Sequence, residues 1–213
     1  MNRDPFENGE YYHIYNRGTD KRNIFDASYD VERFLKSMEF FNSVDPIVSL
    51  YHLEFEEIQV EKRDKLVEII AYCLNPNHYH LILKQLVDNG IPEFMKRLNG
   101  GYTSYFNFKN DRAGSLFQGT YKSKHARTND YLLRLSAYVN LNDKVHQLRG
   151  LTPQLIRSSF EEYTTGIKML CNTDVILSQF PTRGAYKTFA LEALEQMQQR
   201  KKEDKELAKM LIE

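Results

Sequence analysis

The sequence lacks several features that would assign it to a class at once. Its 213 residues contain no run of about 18 consecutive apolar residues, so we expect no membrane-spanning helix. The first ten residues, MNRDPFENGE, lack the apolar core of a signal peptide. The two cysteines, Cys73 and Cys171, are too few and too far apart for a disulfide framework or a zinc knuckle. These absences predict a reduced, cytoplasmic protein.

An excess of charge of either sign is also missing. The 29 Lys and Arg residues balance 29 Asp and Glu residues, and this balance does not by itself indicate a nucleic-acid partner. The charges are nevertheless unevenly distributed: residues 95–127 contain seven bases and one acid, whereas residues 52–68 contain six acids and three bases. The basic segment can follow a phosphate backbone, or both segments can be solvated helix faces, and the composition leaves both interpretations open.

Hydrophobic periodicity predicts the order β-α-β-β-α-β followed by a further helix. This order is typical of an α+β protein with a ferredoxin-like (RRM-like) antiparallel sheet and helices on one face. We expect residues 1–150 to form this domain and residues 151–213 to form a C-terminal helical extension. The strands are predicted at 11–16, 66–74, 78–84 and 116–125, and the helices at 28–42, 91–108 and 129–142.

Two of these helices carry more specific expectations. The helix at 91–108 contains the pair Gly100-Gly101, which favours an interruption or a bend. The helix at 129–142 begins at Asn129, a residue type that often caps helix N-termini. Both expectations rest on local residue preferences alone.

Two histidines one residue apart, His78 and His80, are the first candidates for chemistry. Residues i and i+2 of a strand project to the same face, so the two imidazoles can present nitrogens to one divalent metal ion. By itself such a pair is more often a surface or structural feature, and a third ligand is needed to favour a metal site.

The predicted helix at 129–142 supplies both a third ligand and a nucleophile. Tyr138 and Asn142 are four residues apart, which places them one turn apart on one helix face. The amide oxygen of Asn142 can reach the same ion as the histidines, and Tyr138 would lie beside it. The alternative for Tyr138 is an ordinary half-buried helix residue.

Five sequence strings together carry a resemblance to a known family. They are YYHIYNRG at 11–18, LNPNHYHLILK at 74–84, SLFQGTYKSKH at 115–125, YLLRLSAYVNLN at 131–142 and RSSFEEY at 157–163. In this combination the chain resembles the IS200-like transposase superfamily, and within it the REP-associated tyrosine transposases. The resemblance implies the HUH fold and a transposase that acts on single-stranded or hairpin (REP-like) DNA.

The resemblance also implies roles for individual residues. His78 and His80 correspond to the metal ligands, Asn142 to the third protein ligand, and Tyr138 to the nucleophile that forms a 5′-phosphotyrosine link and frees a 3′-hydroxyl. The family is associated with Mg²⁺ or Mn²⁺, and Mn²⁺ suits a mixed nitrogen and oxygen site better. His13 lies in a recurrent motif, and we expect it to be structural or near the floor of the site.

Contacts to the DNA backbone are expected from basic side chains, which set affinity and salt dependence but not sequence choice. The acidic segment 52–68 resembles an insertion before the histidine hairpin and is expected to alter the access of DNA. The predicted backbone contacts are Arg17, Lys96, Arg97, Arg112, Lys122, Lys124 and Arg127.

The expected reaction needs no ATP, because one phosphodiester replaces another, and the sequence contains no Walker-type loop. The residues after Asn142 are numerous enough to fold back within one chain, which favours a monomer, although related transposases exchange this helix in dimers. Two other functions stay open: a domesticated module that binds DNA hairpins without mobilising them, and a metal-dependent phosphodiesterase that uses water in place of tyrosine.

Overall fold

Five antiparallel strands form one sheet in the order β4-β1-β3-β2-β5. The computed structural model describes residues 5–45, 63–146 and 153–210, with side chains described as far as residue 204. Residues 52–62 of the acidic segment therefore lie outside the described part. The strands are β1 (Tyr11–Arg17), β2 (Val67–Asn75), β3 (His78–Gln85), β4 (Lys122–His125) and β5 (Arg157–Ser158).

The helices follow the predicted order, and several are added after residue 140. They are α1 (Ser28–Phe40), α2 (Gly90–Lys109), α3 (Asn129–Asn140), α4 (Asn142–Val145), α5 (Phe160–Thr165), α6 (Asp174–Leu177) and α7 (Arg183–Met210). None of the described helices combines the length and apolarity that crossing a bilayer requires. The α+β prediction with a C-terminal helical region is confirmed.

One face of the sheet is covered by α1 and α2. Alternate residues of β1 and β3, including Tyr12, Ile14, Tyr79 and Leu81, point into this layer and are at most 2% exposed. The period of two along each strand explains why these residues share a face. The two helices of the β-α-β-β-α-β unit thus lie on one side, as predicted.

The opposite face is covered by α3 and by the C-terminal helices. Ile70 of β2 and Ile82 of β3 form a second buried cluster there with Leu135 of α3, Tyr163 of α5 and Tyr186 of α7. The C-terminal region also adds β5, which pairs with β2 through Cys73↔Ser158 and Leu74↔Arg157. This second layer determines the surroundings of the candidate site, because His13 and His80 lie on the same face.

The predicted interruption of α2 was wrong, since α2 continues through Gly100 and Gly101. A Cβ at Gly101 would lie 2.7 Å from a ring atom of Phe41, whereas a Cβ at Gly100 would meet nothing within 4 Å. Gly101 therefore allows the ring of Phe41 to pack closely against a continuous helix.

The predicted strand 116–125 is shorter in the structure. Only Lys122–His125 pairs with β1, and Phe117 makes an isolated bridge to Gly18. Phe117 itself is only 4% exposed. The apolar residues that suggested a longer strand thus fill the core from a loop.

The boundaries of α3 differ from those predicted at both ends. Its N-cap is Thr128, whose hydroxyl accepts from the backbone N–H of Tyr131 at 3.2 Å, while the side chain of Asn129 instead bonds Gln179 at 2.6 Å. At the C-terminal end Leu141 leaves the helical conformation (φ −116°, ψ 19°), and Asn142 begins α4. The prediction that Tyr138 and Asn142 lie on one continuous helix was wrong.

Candidate active site

The histidines of β3 lie side by side on the face covered by α3. The ring centroids of His78 and His80 are 5.2 Å apart and their planes are nearly perpendicular. Cys73 and Asn75 of β2 pair with His80 and His78 across the hairpin. The two-residue connection Pro76-Asn77 fixes this register, and so it fixes where both imidazoles lie.

Asn142 reaches His78 although it lies on a separate short helix. Its Oδ1 is 3.2 Å from His78 Nε2, and the residue is completely buried. Two adjacent ligands of an octahedral ion with bonds of roughly 2.1 Å lie roughly 3 Å apart. The separation of these two atoms therefore suits a shared ion.

His80 is oriented by His13 on the neighbouring strand β1. The Nδ1 of His80 lies 2.9 Å from the Nε2 of His13, and both side chains are largely buried. If Nδ1 carries the proton and donates to His13, the Nε2 of His80 keeps a free lone pair. Contacts of this kind orient metal-ligating histidines in proteins.

Asn75 connects the other two candidate ligands. Its Nδ2 lies 3.0 Å from His78 Nε2 and donates to Asn142 Oδ1 at 2.9 Å. Asn77 contacts the other nitrogen of His78, Nδ1, at 2.6 Å. The imidazole of His78 is thus held from both sides, and the fully buried Asn75 contacts both candidate ligand atoms, which face one region.

Burial favours the neutral form of both imidazoles. It lowers the pKa of His78 and lowers that of His80 well below its ordinary value, and for His80 the neighbouring His13 adds to the effect. A neutral imidazole is the form that binds a metal ion. No three described side chains of the His, Cys, Asp and Glu types lie close enough to hold an ion, so a metal here needs the amide of Asn142.

Tyr138 lies next to these histidines in the same chain. Its ring centroid is 5.6 Å from that of His80 and 6.0 Å from that of His13, in edge-to-face geometry. Burial raises the pKa of the Tyr138 hydroxyl, and the side-chain amide of Asn142 opposes this effect. The tyrosine is therefore protonated at neutral pH and lies within the same group of side chains as the imidazoles.

One amide group in the site has an unsatisfied donor. The Nδ2 of Asn142 is buried and has no hydrogen-bond partner among the described residues, while its Oδ1 faces His78. Leaving a buried donor unpaired costs about 1–3 kcal/mol. A site that holds such a donor beside Tyr138 is suited to an incoming acceptor, for example a phosphate oxygen.

A cavity of about 580 Å³ opens beside Tyr138 and His80. Its walls come from β1, β4, α3 and α7. This volume lies within the range of clefts that bind small ligands, roughly 300–1,000 Å³. The cavity leads from the surface to the tyrosine, and so it is the natural approach for a substrate.

The seven basic residues predicted to hold DNA are not all brought to this cavity. Lys124 lines the cavity. Lys122 pairs with Tyr15 of β1, and Lys124 pairs with His13. Residues two apart on a strand project to the same face, so Lys122 lies on the same face of the sheet as Lys124. Arg17 pairs with His78 across the sheet and bonds Gln118. The positions of Lys122, Lys124 and Arg17 are compatible with the predicted contacts to the DNA backbone.

The other four predicted DNA contacts lie elsewhere. Arg97 is bonded to Glu93 and to backbone carbonyls, which indicates a structural role, and Arg112 is bonded to Asn107 and to the carbonyl of Ser115. Lys96 lies beside a second, separate cavity on α2. Arg127 follows the end of β4.

Sequence reasoning missed Asn75, Arg134 and Arg200 as members of this region. Arg134 and Arg200 line the cavity. The position of Asn75 opposite His78 follows from a hairpin with a two-residue turn, so its role was accessible from the string NPNH. Arg200 reaches the cavity because α7 packs against the sheet and α3, and this tertiary packing cannot be read from the local sequence.

Comparison with known proteins gives a family match and a structural match. The family described as "Transposase IS200 like" matches residues 8–142. A solved structure of a REP-associated tyrosine transposase bound to a REP hairpin is similar, with a TM-score of 0.50 and 13% sequence identity, and the match covers 80% of this chain and 88% of that chain. At that identity the likeness concerns the fold. No curated protein matches the sequence.

Proposed function

The chain belongs to the family of IS200-like transposases, and from this premise we propose that it nicks and rejoins single-stranded DNA through a covalent bond to Tyr138. The reaction is a metal-dependent transesterification. The observation that carries this proposal is the position of the Tyr138 ring, 5.6 Å from His80, beside a pair of candidate ligand atoms on His78 and Asn142 that are 3.2 Å apart.

His78, His80 and Asn142 would hold the divalent ion, Mg²⁺ or Mn²⁺. Two imidazole nitrogens and an amide oxygen favour Mn²⁺ over Mg²⁺, which prefers oxygen ligands. When bound, the ion acts as a Lewis acid on a phosphate oxygen and favours the phenolate of a nearby tyrosine. His13 and Asn75 support this role by orienting the ligands.

Tyr138 supplies the nucleophile. Its oxygen forms a bond to phosphorus while the bond from phosphorus to the 3′ oxygen breaks, and this oxygen leaves as a 3′-hydroxyl after taking up a proton. The product is a 5′-phosphotyrosine. A 3′-hydroxyl can later attack that link and release the tyrosine, so the number of phosphodiester bonds is conserved without ATP.

Asn142 has a second task in this step. Its Nδ2 has no hydrogen-bond partner among the described residues, and its amide opposes the burial that raises the pKa of the Tyr138 hydroxyl. A non-bridging phosphate oxygen that accepts from this Nδ2 would bring phosphorus next to the tyrosine. Such positioning is a large part of catalysis of phosphoryl transfer.

Hairpin DNA with a single-stranded flank is the substrate we propose. The similar solved structure is that of a transposase bound to a REP hairpin, which supports a hairpin as the recognised element. The cavity beside Tyr138 has the volume of a small-ligand cleft, which favours an unpaired strand over a duplex. We therefore propose that the unpaired flank is cut and that the paired stem binds outside the cavity.

The proposal is tested with a hairpin oligonucleotide that carries a labelled single-stranded flank, in the presence of Mn²⁺. We expect a protein–DNA adduct that survives denaturation, that is lost in Tyr138→Phe and on chelation of the metal, and that persists in Tyr131→Phe. Tyr131 is a matched control because it lines the same cavity on the same helix.

Two results would overturn the proposal in different ways. Cleavage that persists in Tyr138→Phe would indicate a phosphodiesterase that uses water. Tight hairpin binding by the wild-type protein, with neither adduct nor cleavage in Mg²⁺ or Mn²⁺, would indicate a domesticated binding module.

A further inference from the structure

The C-terminal helix α7 forms one wall of the cavity that contains Tyr138. Ala193, Met197 and Arg200 of α7 line this cavity together with Tyr138 and His80. These α7 residues lie well beyond residue 142, where the match to the transposase family ends. The substrate cavity is thus completed by a part of the chain that the family match does not include.

The helical period explains why Arg200 faces the cavity. Tyr186 and Ala190 are completely buried against the sheet and α3. Ala193, Met197 and Arg200 continue the same stripe at spacings of three and four residues, so they share its face. The packed face of α7 thus continues to the exposed Arg200, which lines the same cavity as Tyr138.

Contacts at two levels fix α7 against the tyrosine helix. The hydroxyl of Tyr186 accepts from Asn140 Nδ2 at 2.8 Å, at the end of α3. Farther along, Gln198 donates to the carbonyl of Lys144 at 3.1 Å and Lys201 donates to the carbonyl of Val145 at 3.3 Å. Tyr186 precedes the segment that lines the cavity, Gln198 lies within it and Lys201 follows it, so this segment is held against α3 and α4.

The described lining of the cavity is positively charged. It contains the cations Lys124, Arg134 and Arg200 and no carboxylate. Lys124 lies over the ring of Tyr131 at 4.8 Å, and Arg134 is paired with Asp130 at 3.0 Å. Arg200 has no hydrogen-bond or ion-pair partner among the side chains that the structure describes. Three cations around an otherwise largely apolar cleft are suited to a chain of phosphates.

We propose that Arg200, together with Lys124 and Arg134, binds backbone phosphates of the single-stranded DNA that enters the cavity, so that α7 is part of the substrate-binding site. This inference rests on the proposed function, because it names the ligand of the same cavity. The contact is to phosphate and not to a base, so it contributes affinity without sequence preference. Arg200 is a positioning residue for the strand that Tyr138 attacks.

The test measures binding without chemistry. A fluorescent hairpin with a 12-nucleotide unpaired flank is titrated by anisotropy in metal-free buffer at several NaCl concentrations, with every protein carrying Tyr138→Phe. We expect Arg200→Gln to weaken binding at low salt by roughly three- to tenfold and to reduce the slope of log K against log salt by about 0.7, the value for one phosphate contact on a single strand.

Two further variants distinguish a phosphate contact from a general loss of charge. Arg200→Lys keeps the charge, and we expect it to keep the slope of log K against log salt that the parent Tyr138→Phe protein shows. Lys187→Gln removes an exposed cation from another face of α7 and should leave binding unchanged. Because Arg200 is exposed, we expect its replacement to leave the fold and its thermal unfolding essentially unchanged.

The outcomes separate this inference from the proposed function. An unchanged slope in Arg200→Gln, or an equal loss in Lys187→Gln, overturns the role of Arg200 whether or not the wild-type protein forms an adduct. A reduced slope confined to Arg200→Gln supports the role even if no adduct is found, and in that case only the proposed chemistry fails.

Discussion

The 2.9 Å contact between His13 and His80 determines which nitrogen of His80 can face a metal ion. With Nδ1 of His80 bonded to Nε2 of His13, only Nε2 of His80 is open. The strand pair also fixes the ring planes, since the two imidazoles are stacked with centroids 5.1 Å apart. His13, which the sequence predicts to be structural or near the floor of the site, therefore contacts a candidate ligand directly.

Replacement of His13 should weaken metal binding without removing a ligand. For His13→Ala we predict a 10- to 100-fold lower affinity for Mn²⁺, the usual effect of losing a residue that orients a ligating histidine. The measurement is the electron paramagnetic resonance signal of free Mn²⁺ during titration. His13→Gln, which can still offer an acceptor, should recover part of the affinity.

His125→Ala is the control for the His13 variants. His125 lies on the adjacent strand β4 and bonds Glu10 at 2.9 Å, away from the candidate ligands. Its replacement should leave the affinity for Mn²⁺ unchanged. Equal affinities of the wild-type protein and His13→Ala would show that His80 does not depend on His13 for its orientation.

Among the elements, α3 and α7 form the unit that positions Tyr138, the proposed nucleophile. The Tyr186 hydroxyl contacts Ser136 at 3.2 Å and Asn140 at 2.8 Å, two residues before and two residues after Tyr138. Asn140 in turn accepts from Ser159 at 2.6 Å. This buried network fixes the rotation of α3 about its axis, and with it the direction in which Tyr138 points.

Removing the Tyr186 hydroxyl should uncouple this unit. Tyr186→Phe leaves Asn140 Nδ2 buried without its partner, and we predict a loss of about 1–3 kcal/mol in the free energy of unfolding, measured with urea. Small displacements of reacting groups reduce rates strongly, so adduct formation should also slow by about tenfold or more.

Tyr163→Phe separates the effect on position from the effect on stability. Tyr163 lies in the same buried cluster, and its hydroxyl donates to the carbonyl of Ile70 at 2.8 Å, which lies on β2 and not on α3. It should lose comparable stability but keep the adduct rate. If both variants slowed adduct formation equally, the hydroxyl of Tyr186 would have no specific role in placing Tyr138.

The glycine pair of α2 gives a prediction about packing. We expect Gly101→Ala to destabilise the fold by about 1–3 kcal/mol, because its methyl group overlaps the ring of Phe41. Gly100→Ala should stabilise it by about 0.5–1 kcal/mol, since the position is open and alanine favours helix. Thermal or urea unfolding of the two variants compares them directly, and equal effects would contradict the assigned packing of Phe41.

Several elements could be predicted from the sequence because they depend on local periodicity. The alternation in β1 and β3 identified the strands and the shared face of His78 and His80, and α1 to α3 were found in order. Features that depend on tertiary packing could not be predicted in this way. The helix 129–142 is divided at Leu141, whose side chain is 1% exposed in the core, and the pairing of β5 with β2 joins residues about 85 positions apart.

At the scale of the whole molecule, Tyr138 lies beside the candidate ligands His78, His80 and Asn142 within one chain. The ring of Tyr138 contacts His80 of the same chain, and α7 holds α3 from the same side of the sheet. A transposase that exchanges this helix between subunits would place the tyrosine next to its partner's histidines. From this packing we predict that a single chain is the active form.

Mixing two inactive variants tests this arrangement. Tyr138→Phe lacks the nucleophile, and His80→Ala lacks a ligand. If each chain forms its own site, a mixture should form no more adduct than the separate proteins at any ratio, and light scattering should give the mass of one chain, 25.2 kDa. Recovery of adduct in the mixture would show that the tyrosine acts on DNA held by a second chain.

The central claim is that Tyr138 forms a covalent bond to DNA, and its most direct test identifies the residue that carries the DNA. After reaction with the hairpin substrate in Mn²⁺, the protein is digested with nuclease and trypsin and examined by tandem mass spectrometry. Tyr138 is the only tyrosine in the expected tryptic peptide LSAYVNLNDK, residues 135–144. We predict that this tyrosine carries a nucleotide joined through its 5′-phosphate and that the released strand ends in a free 3′-hydroxyl. Attachment to another of the 14 tyrosines, or cleavage that leaves every tyrosine unmodified, would contradict the account.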